Sequence, residues 1–213
     1  MNTLILDCSC GMNVYVLSGD KIFSYIDGTQ NKHTDEILKC VDELLSKAEI
    51  NVKELNNLCV CVGPGSFTGV RVAISITKGL ALGINAKVFE LSNFDVIQNN
   101  NENAYYVLDG FSNFVYVRTV KNKSVFDECI SIDDFSKKYK IEKFDVFAAT
   151  EKTQNLLKKY EIQAILCKNN TIYAFNEKIK KSESVELNKI YPIYLRASQA
   201  EIERNKRLQN DKN

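Results

Sequence analysis

The stretch Cys59-Val60-Cys61-Val62-Gly63-Pro64-Gly65-Ser66-Phe67-Thr68-Gly69-Val70-Arg71 decides the fold of this chain. It predicts a buried strand, a sharp turn and a helix start, because an apolar run precedes three glycines that can approach other groups closely. A hydroxyl at Ser66 or Thr68 can cap the helix, whose first free N–H groups favour an anion. The spacing fits neither a Walker loop nor a dinucleotide fingerprint, so a tight structural turn is favoured over a phosphate site. The residues of this glycine loop are Gly63, Gly65, Ser66, Thr68 and Gly69.

Two distant stretches of the chain share one pattern. In residues 4–16 an apolar run ends at Asp7, turns through small or polar residues and returns as a second run. Residues 106–117 repeat this around Asp109. The pattern predicts two α/β domains of related topology with mixed sheets, each opened by an Asp-led β-hairpin, and two unrelated hairpins are the alternative.

A polar, asparagine-rich stretch at residues 98–103 marks the expected domain boundary. We expect an N-terminal domain at 1–100, which holds the glycine loop and two helices expected to form an interface with a partner. A smaller second domain at 101–213 would follow, with a C-terminal helix that could pack back on the first. In the second half, patterning predicts helices at 132–139, 153–160 and 173–181, strands at 145–149 and 164–167, and a helix-compatible tail at 197–208.

Two helices are predicted in the first half. Residues 34–48 form an amphipathic surface helix, capped by Thr34. Residues 70–82 are apolar nearly all round, so that helix must be covered on both sides. One side can pack on the sheet, and the other needs a helix or a second protein. Gly79 and Gly83 would let that neighbour come close.

Composition limits the possible partners. The chain has 213 residues with 28 basic and 27 acidic side chains, a net charge of +1, so no global field attracts nucleic acid or a membrane. The N-terminus lacks a basic region followed by an apolar signal core, which predicts a cytoplasmic protein. The longest apolar-rich stretch, residues 70–86, contains Arg71 and Lys78 and is too short and polar to span a membrane.

Metal chemistry is weakly supported by the sequence. Seven cysteines without a C-x-x-C pattern indicate reduced thiols. The pairs Cys8/Cys10 and Cys59/Cys61 could offer four thiolates to zinc, but small apolar filler on buried strands is favoured. His33 is the single histidine, so a two-histidine metal site is excluded by count.

Four motifs in order along the chain resemble those of the TsaB/YeaZ family. GPGSFTGVR at 63–71, followed by KGLALG at 78–83, resembles the family signature. LILDCS at 4–9, KHTDEIL at 32–38 and YPIYLR at 191–196 resemble its opening strand end, its first helix start and its C-terminal motif. The resemblance implies a two-domain actin-like, hexokinase-like and chaperone-ATPase-like (ASKHA) fold. It also implies a non-catalytic role in the bacterial machinery that makes N6-threonylcarbamoyladenosine in tRNA.

The resemblance also implies a degenerate site, with no catalytic residues, no metal ligands and no cofactor. Catalytic members of that fold place phosphate loops in both hairpins, whereas here only Asp7, Ser9 and Gly11 keep the outline of a vestigial nucleotide hairpin. The second hairpin carries a bulky Phe111, and the chain contains no Gly-Gly pair. Position 37, where the catalytic paralogue has its second metal-binding histidine, is Ile37.

The expected partners are a TsaD-like catalytic paralogue, a TsaE-like ATPase and, when the chain is alone, a second copy of itself. Contact with tRNA would be indirect, through the complex. A small-molecule kinase or peptidase of the same fold, and a plain nucleic-acid-binding module, are the alternatives. The residues expected at the partner interface, from the two helices, are His33, Ile37, Cys40, Val41, Leu44, Val72, Ile76, Gly79, Leu80 and Gly83.

Overall fold

The computed structural model describes residues 1–27, 36–97, 101–139, 144–168 and 170–196. These residues form two five-stranded sheets with helices packed on them. The first sheet and its helices are β1 (Asn2–Asp7), β2 (Met12–Ser18), β3 (Lys21–Asp27), α1 (Ile37–Lys47), β4 (Asn57–Cys61), α2 (Phe67–Gly83), β5 (Lys87–Leu91) and α3 (Asn93–Ile97). The second sheet and its helices are β6 (Asn103–Asp109), β7 (Phe114–Lys121), β8 (Ser124–Ser131), α4 (Ile132–Lys138), β9 (Asp145–Ala148), α5 (Glu151–Lys158), β10 (Ile165–Leu166) and α6 (Thr171–Lys180).

Both sheets are mixed and have the same strand order. The first runs β3-β2-β1-β4-β5, and the second runs β8-β7-β6-β9-β10. In each, the first three strands of the unit are antiparallel, and the last two run parallel to the first. The chain is therefore an α/β protein in which one order of elements occurs twice. The division into domains at residue 100 stays a prediction.

The first sheet is covered on both faces. Side chains alternate along β1, so Leu4 and Leu6 face α1 and α2, whereas Ile5 faces α6. Helix α6 comes from the second half of the chain, yet its Phe175 packs against Phe89 on β5 with the rings 5.5 Å apart and perpendicular. Burial on both faces explains why β1 and β4 are apolar almost throughout.

Helix α3 joins the two sheets. Its Phe94 packs in the core of the second sheet, and its Val96 packs in the core that the first sheet shares with α6. Arg118 on β7 binds Asp127 through two hydrogen bonds of 2.8 Å, and it lies 3.3 Å from Asp95 on α3. The Arg118 guanidinium also lies 4.6 Å from the centre of the Phe94 ring. Apolar and charged contacts thus hold the two sheets together at one short helix.

The predicted elements of the second half match the structure closely. Helices α4, α5 and α6 begin and end within two residues of the expected bounds, each preceded by a side-chain cap. The caps are Ser131, Thr150 and Asn170. Helix α1 begins at Ile37, and the expected cap at Thr34 lies outside the described residues, as does the predicted tail helix.

Removing the Phe175 side chain tests the junction between α6 and the first sheet. We expect Phe175→Ala to lower the free energy of unfolding by about 3–5 kcal/mol, because the side chain is fully buried and leaves a cavity. Tyr173→Ala on the same helix is the control, since that ring is largely exposed and its loss should change stability by less than about 0.5 kcal/mol. Urea denaturation measures both. Equal losses would contradict the packing described.

Candidate functional site

The glycine loop follows β4 and leads into α2. Gly63 has a φ of +97°, a region that residues with a side chain rarely adopt. Ser66 caps α2, because its hydroxyl accepts a hydrogen bond from the backbone N–H of Gly69 at 3.2 Å. The loop also carries backbone bonds from Val62 to Leu91 and from Asn93 to Gly63, both 2.8 Å, so it is fixed to the end of β5.

The loop packs directly on the turn between β1 and β2. The backbone N–H of Ser66 donates to the carbonyl oxygen of Ser9 at 2.8 Å. A Cβ on Gly65 would lie 2.5 Å from that same oxygen, and a Cβ on Gly69 would overlap the carbonyl oxygen of Cys8. These two glycines are needed for the contact within the chain. The tight structural turn favoured from the pattern is the arrangement observed.

Asp7, Ser9 and Asn93 form a polar network at this contact. The Asp7 carboxylate accepts hydrogen bonds from the backbone N–H of Ser9 at 3.0 Å and from its hydroxyl at 2.5 Å. The Asn93 side-chain amide donates to the Ser9 hydroxyl at 2.8 Å and to the Pro64 carbonyl at 2.7 Å. Asp7 and Ser9 are almost fully buried. The polar groups of the first hairpin are therefore bonded to the chain itself. Gly11, the third residue expected there, ends the turn with a φ of +103°.

Asn93 is a site residue that the sequence analysis missed. It stands two residues after β5, at the carboxyl end of a parallel strand, where ligand and turn contacts of α/β sheets gather. A polar side chain at that position could have been singled out from the strand pattern alone.

The second hairpin is organised differently. Asp109 accepts hydrogen bonds from the hydroxyls of Thr150 at 2.8 Å and Thr153 at 2.9 Å, so it is tied to the start of α5. A Cβ on Gly110 would overlap the Phe114 carbonyl, and Phe111 lies exposed at the tip of the turn. Helix α5 is preceded by its cap, Thr150, whereas the equivalent helix of the first half, α2, is preceded by the glycine loop.

The segment 190–196, which we name the strap, runs from the glycine loop to the second hairpin. The backbone N–H of Ile193 donates to Val62 at 2.8 Å, and the Tyr194 ring stacks on Phe67 at 4.6 Å. At its end, the Arg196 guanidinium lies 4.5 Å from the centre of the Phe114 ring. The strap thus reaches from the glycine loop to the second hairpin. In the sequence, residues 191–196 were recognised only by their resemblance to a family motif, and no contact was predicted for them.

The structure corrects the expectation for α1. Its four expected interface residues are buried in the core of the same chain, against β2 and its neighbours. They are Ile37, Cys40, Val41 and Leu44. The amphipathic face that periodicity identified is used by the sheet, so these side chains are not available to a partner. His33 lies outside the described residues.

The expected residues of α2 lie away from the sheet. The helix buries Val70, Ala73, Ile74 and Thr77. On the other side, Gly79 and Gly83 are exposed, whereas Val72, Ile76 and Leu80 are partly buried and pack in part against the core of the same chain. A Cβ added at either glycine would meet nothing within 4 Å. Next to them, the Leu82 side chain is 81% exposed.

The cysteines of the two C-x-C pairs are poor metal ligands in this fold. Burial raises the pKa of Cys8 to about 12, with the Asp7 charge adding to it, and burial also raises the pKa of Cys59 and Cys61. Burial therefore disfavours the thiolate forms that zinc would bind. Within the described ranges, three or more potential metal ligands do not come together anywhere. Those ranges also contain no helix that could span a membrane.

Comparison with known proteins places the chain in a family. A family model described as TsaD, tRNA N6-adenosine threonylcarbamoyltransferase, matches residues 26–145, more than half of the chain. The "tRNA threonylcarbamoyladenosine biosynthesis protein TsaB" of Haemophilus influenzae is 34% identical over 102 residues, which cover 45% of this chain and 43% of that protein. The chain thus matches less than half the length of this curated relative.

Two solved structures share the fold. YeaZ from Pseudomonas aeruginosa has a TM-score of 0.70 at 19% identity, covering 91% of this chain and 99% of that one. The ethanolamine utilization protein EutJ from Carboxydothermus hydrogenoformans has a TM-score of 0.50 at 10% identity, covering 78% and 85%. Both fit the ASKHA-like fold expected from the sequence.

The glycine at position 69 tests the contact at the centre of this site. We expect Gly69→Ala to destabilise the protein by at least about 3 kcal/mol, at the upper end for overpacking, because the new Cβ overlaps Cys8. Gly79→Ala is the matched control in the same helix, where the space is open and the change should stabilise by about 0.5–1 kcal/mol. Thermal unfolding distinguishes them.

Changes in stability of opposite sign for Gly69→Ala and Gly79→Ala would support the packing, and similar changes would contradict it.

The glycine loop, the hairpin it packs on and the matches with known proteins agree with the motifs read from the sequence. The chain belongs to the TsaD family of proteins and, within it, to the TsaB/YeaZ branch.

Proposed function

We propose that this chain is a non-catalytic dimerisation and activation partner of a TsaD-like catalytic subunit in the synthesis of threonylcarbamoyladenosine in tRNA. Family membership supports the pathway, because relatives such as the Haemophilus influenzae protein are named for it. A TsaE-like ATPase completes the proposed assembly. Contact with tRNA is made through the complex.

The outer face of α2 carries the proposal. Glycine inside a helix costs about 1 kcal/mol relative to alanine, so Gly79 weakens the helix, whereas Gly83 is its last residue. Neither has a positive φ, and neither is crowded by its own chain. A backbone that packs closely on this face from another protein would account for both. The exposed Leu82 and the partly buried Ile76 give that face apolar surface to cover.

The first hairpin favours a non-catalytic role over a kinase or peptidase. The groups that would face a phosphate there are Asp7, Ser9 and the N–H groups of the first turn of α2. The Ser9 hydroxyl is bonded to Asp7 and to Asn93, and the Ser66 N–H is bonded to the Ser9 carbonyl oxygen. These hydrogen bonds would have to break before the same groups could bind a phosphate.

A stable interface on this face would bury on the order of 1,600 Å² in total. The same surface is open when the partner is absent, so the chain is expected to form a two-fold homodimer through it. Since Ile37, Cys40, Val41 and Leu44 are buried in the core, α2 supplies the apolar centre of the interface. Exposed residues of α1, such as Leu38, would contribute at its edge.

A charge at Ile76 should break the complex. We expect Ile76→Glu to lower the affinity for the TsaD-like paralogue at least about a hundredfold, because an unpaired charge would be buried at the interface. Light scattering coupled to size-exclusion chromatography of the mixed proteins measures the one-to-one complex. Val125→Glu, at an exposed position on β8, is the control and should leave it intact. Normal assembly of Ile76→Glu would show that the surface is misassigned.

A larger side chain at Gly79 separates folding from docking. We expect Gly79→Leu to raise the thermal midpoint of the isolated chain, because leucine favours helix and has open space. The same change should weaken the complex with the paralogue, because the side chain holds the partner backbone away. A more stable chain that binds the paralogue normally would argue against close packing at this glycine.

A further inference from the structure

Helix α2 has a second row of residues beside the row that contains Gly79 and Gly83. Arg71, Ser75, Lys78 and Leu82 are spaced by four, three and four residues, so they lie along one side of the helix. This side borders the strap, because Arg71 contacts Tyr194 and Lys78 contacts Tyr191. The sequence analysis assigned neither cation to any site.

Tyrosine rings hold both cations. The Arg71 Nε donates to the Tyr194 hydroxyl, and its guanidinium carbon lies 5.3 Å from the centre of that ring. The Lys78 ammonium lies 5.2 Å from the centre of the Tyr191 ring. A ring face orients a cation without cancelling its charge.

The two segments that carry the cations and their tyrosines contain no acidic residue. Neither residues 62–83 nor residues 190–196 include an aspartate or a glutamate. In the part of the chain that the structure describes, no salt bridge is formed by Arg71 or Lys78. Two oriented positive charges with no ion-pair partner among the described residues therefore lie beside the face proposed to dock a partner.

We propose that Arg71, Lys78, Tyr191 and Tyr194 form a cation–tyrosine rim that binds carboxylates on the protein docked against α2. This inference rests on the proposed function and adds the chemistry of the partner surface. The partner is a protein with an acidic edge beside an apolar centre. Arginine and tyrosine are among the residue types enriched at positions that contribute most to binding in protein interfaces.

A protein fits this rim better than RNA does. Leu82, in the same row, is 81% exposed, and the adjoining row of Val72, Ile76 and Gly79 is apolar. One face of the Tyr194 ring is already covered by Phe67, which leaves less surface on which a base could stack. Two cations with apolar neighbours match a mixed protein interface.

The rim makes association with the partner sensitive to salt and to charge. Charges at the edge of an interface act mainly on the association rate. We expect Lys78→Glu to slow association with the purified TsaD-like paralogue about tenfold at low ionic strength, and less at high ionic strength. Lys137→Glu, an exposed lysine on α4, is the control with the same change of net charge. Stopped-flow fluorescence gives the rates, and circular dichroism checks that both variants fold.

The outcomes separate this inference from the proposed function. If Ile76→Glu abolishes the complex while Lys78→Glu and Lys137→Glu behave alike, the rim is not part of the interface and the proposed function stands. If no complex forms with the paralogue, both proposals fail. If Lys78→Glu leaves the paralogue association unchanged but weakens binding of the isolated chain to a tRNA transcript, the rim contacts RNA and the inference is overturned.

Discussion

The fold depends on one close approach between backbones. The first turn of α2 lies against the carbonyl groups of Cys8 and Ser9, a distance possible only without side chains at Gly65 and Gly69. That contact fixes the direction in which α2 leaves β4. Asn93 then ties β5 to the same point, and Ile193 ties the strap to it. Three other segments of the chain therefore meet at one glycine-rich turn.

Local patterns predicted the turn well and its surroundings less well. Three glycines between an apolar run and a helix determine a sharp turn through their own geometry, so the sequence alone was sufficient there. Asn93 and the strap bind the turn from 29 and 131 residues away in sequence, as seen in the bonds to Pro64 and Val62. Such contacts follow from the strand order, which the sequence did not supply.

Helices α1 and α2 show the same limit of prediction from sequence. Periodicity identifies an apolar face but does not say what covers it. For α1 the cover is the sheet, so Ile37 and Leu44 belong to the core. For α2 the sheet takes Val70, Ala73 and Ile74, and the opposite face is covered only in part, with Gly79 and Gly83 exposed. The helix that is apolar nearly all round was thus the better indicator of a face that its own chain leaves partly open.

The position of α6 has a consequence for synthesis on the ribosome. The second face of the first sheet, with Ile5 and Phe89, is covered by Phe175, and Val88 receives a hydrogen bond from Val185. These contacts close only after Phe175 and Val185 have emerged from the ribosome. The nascent first half would therefore hold an uncovered apolar face until then, which is the kind of surface that chaperones bind.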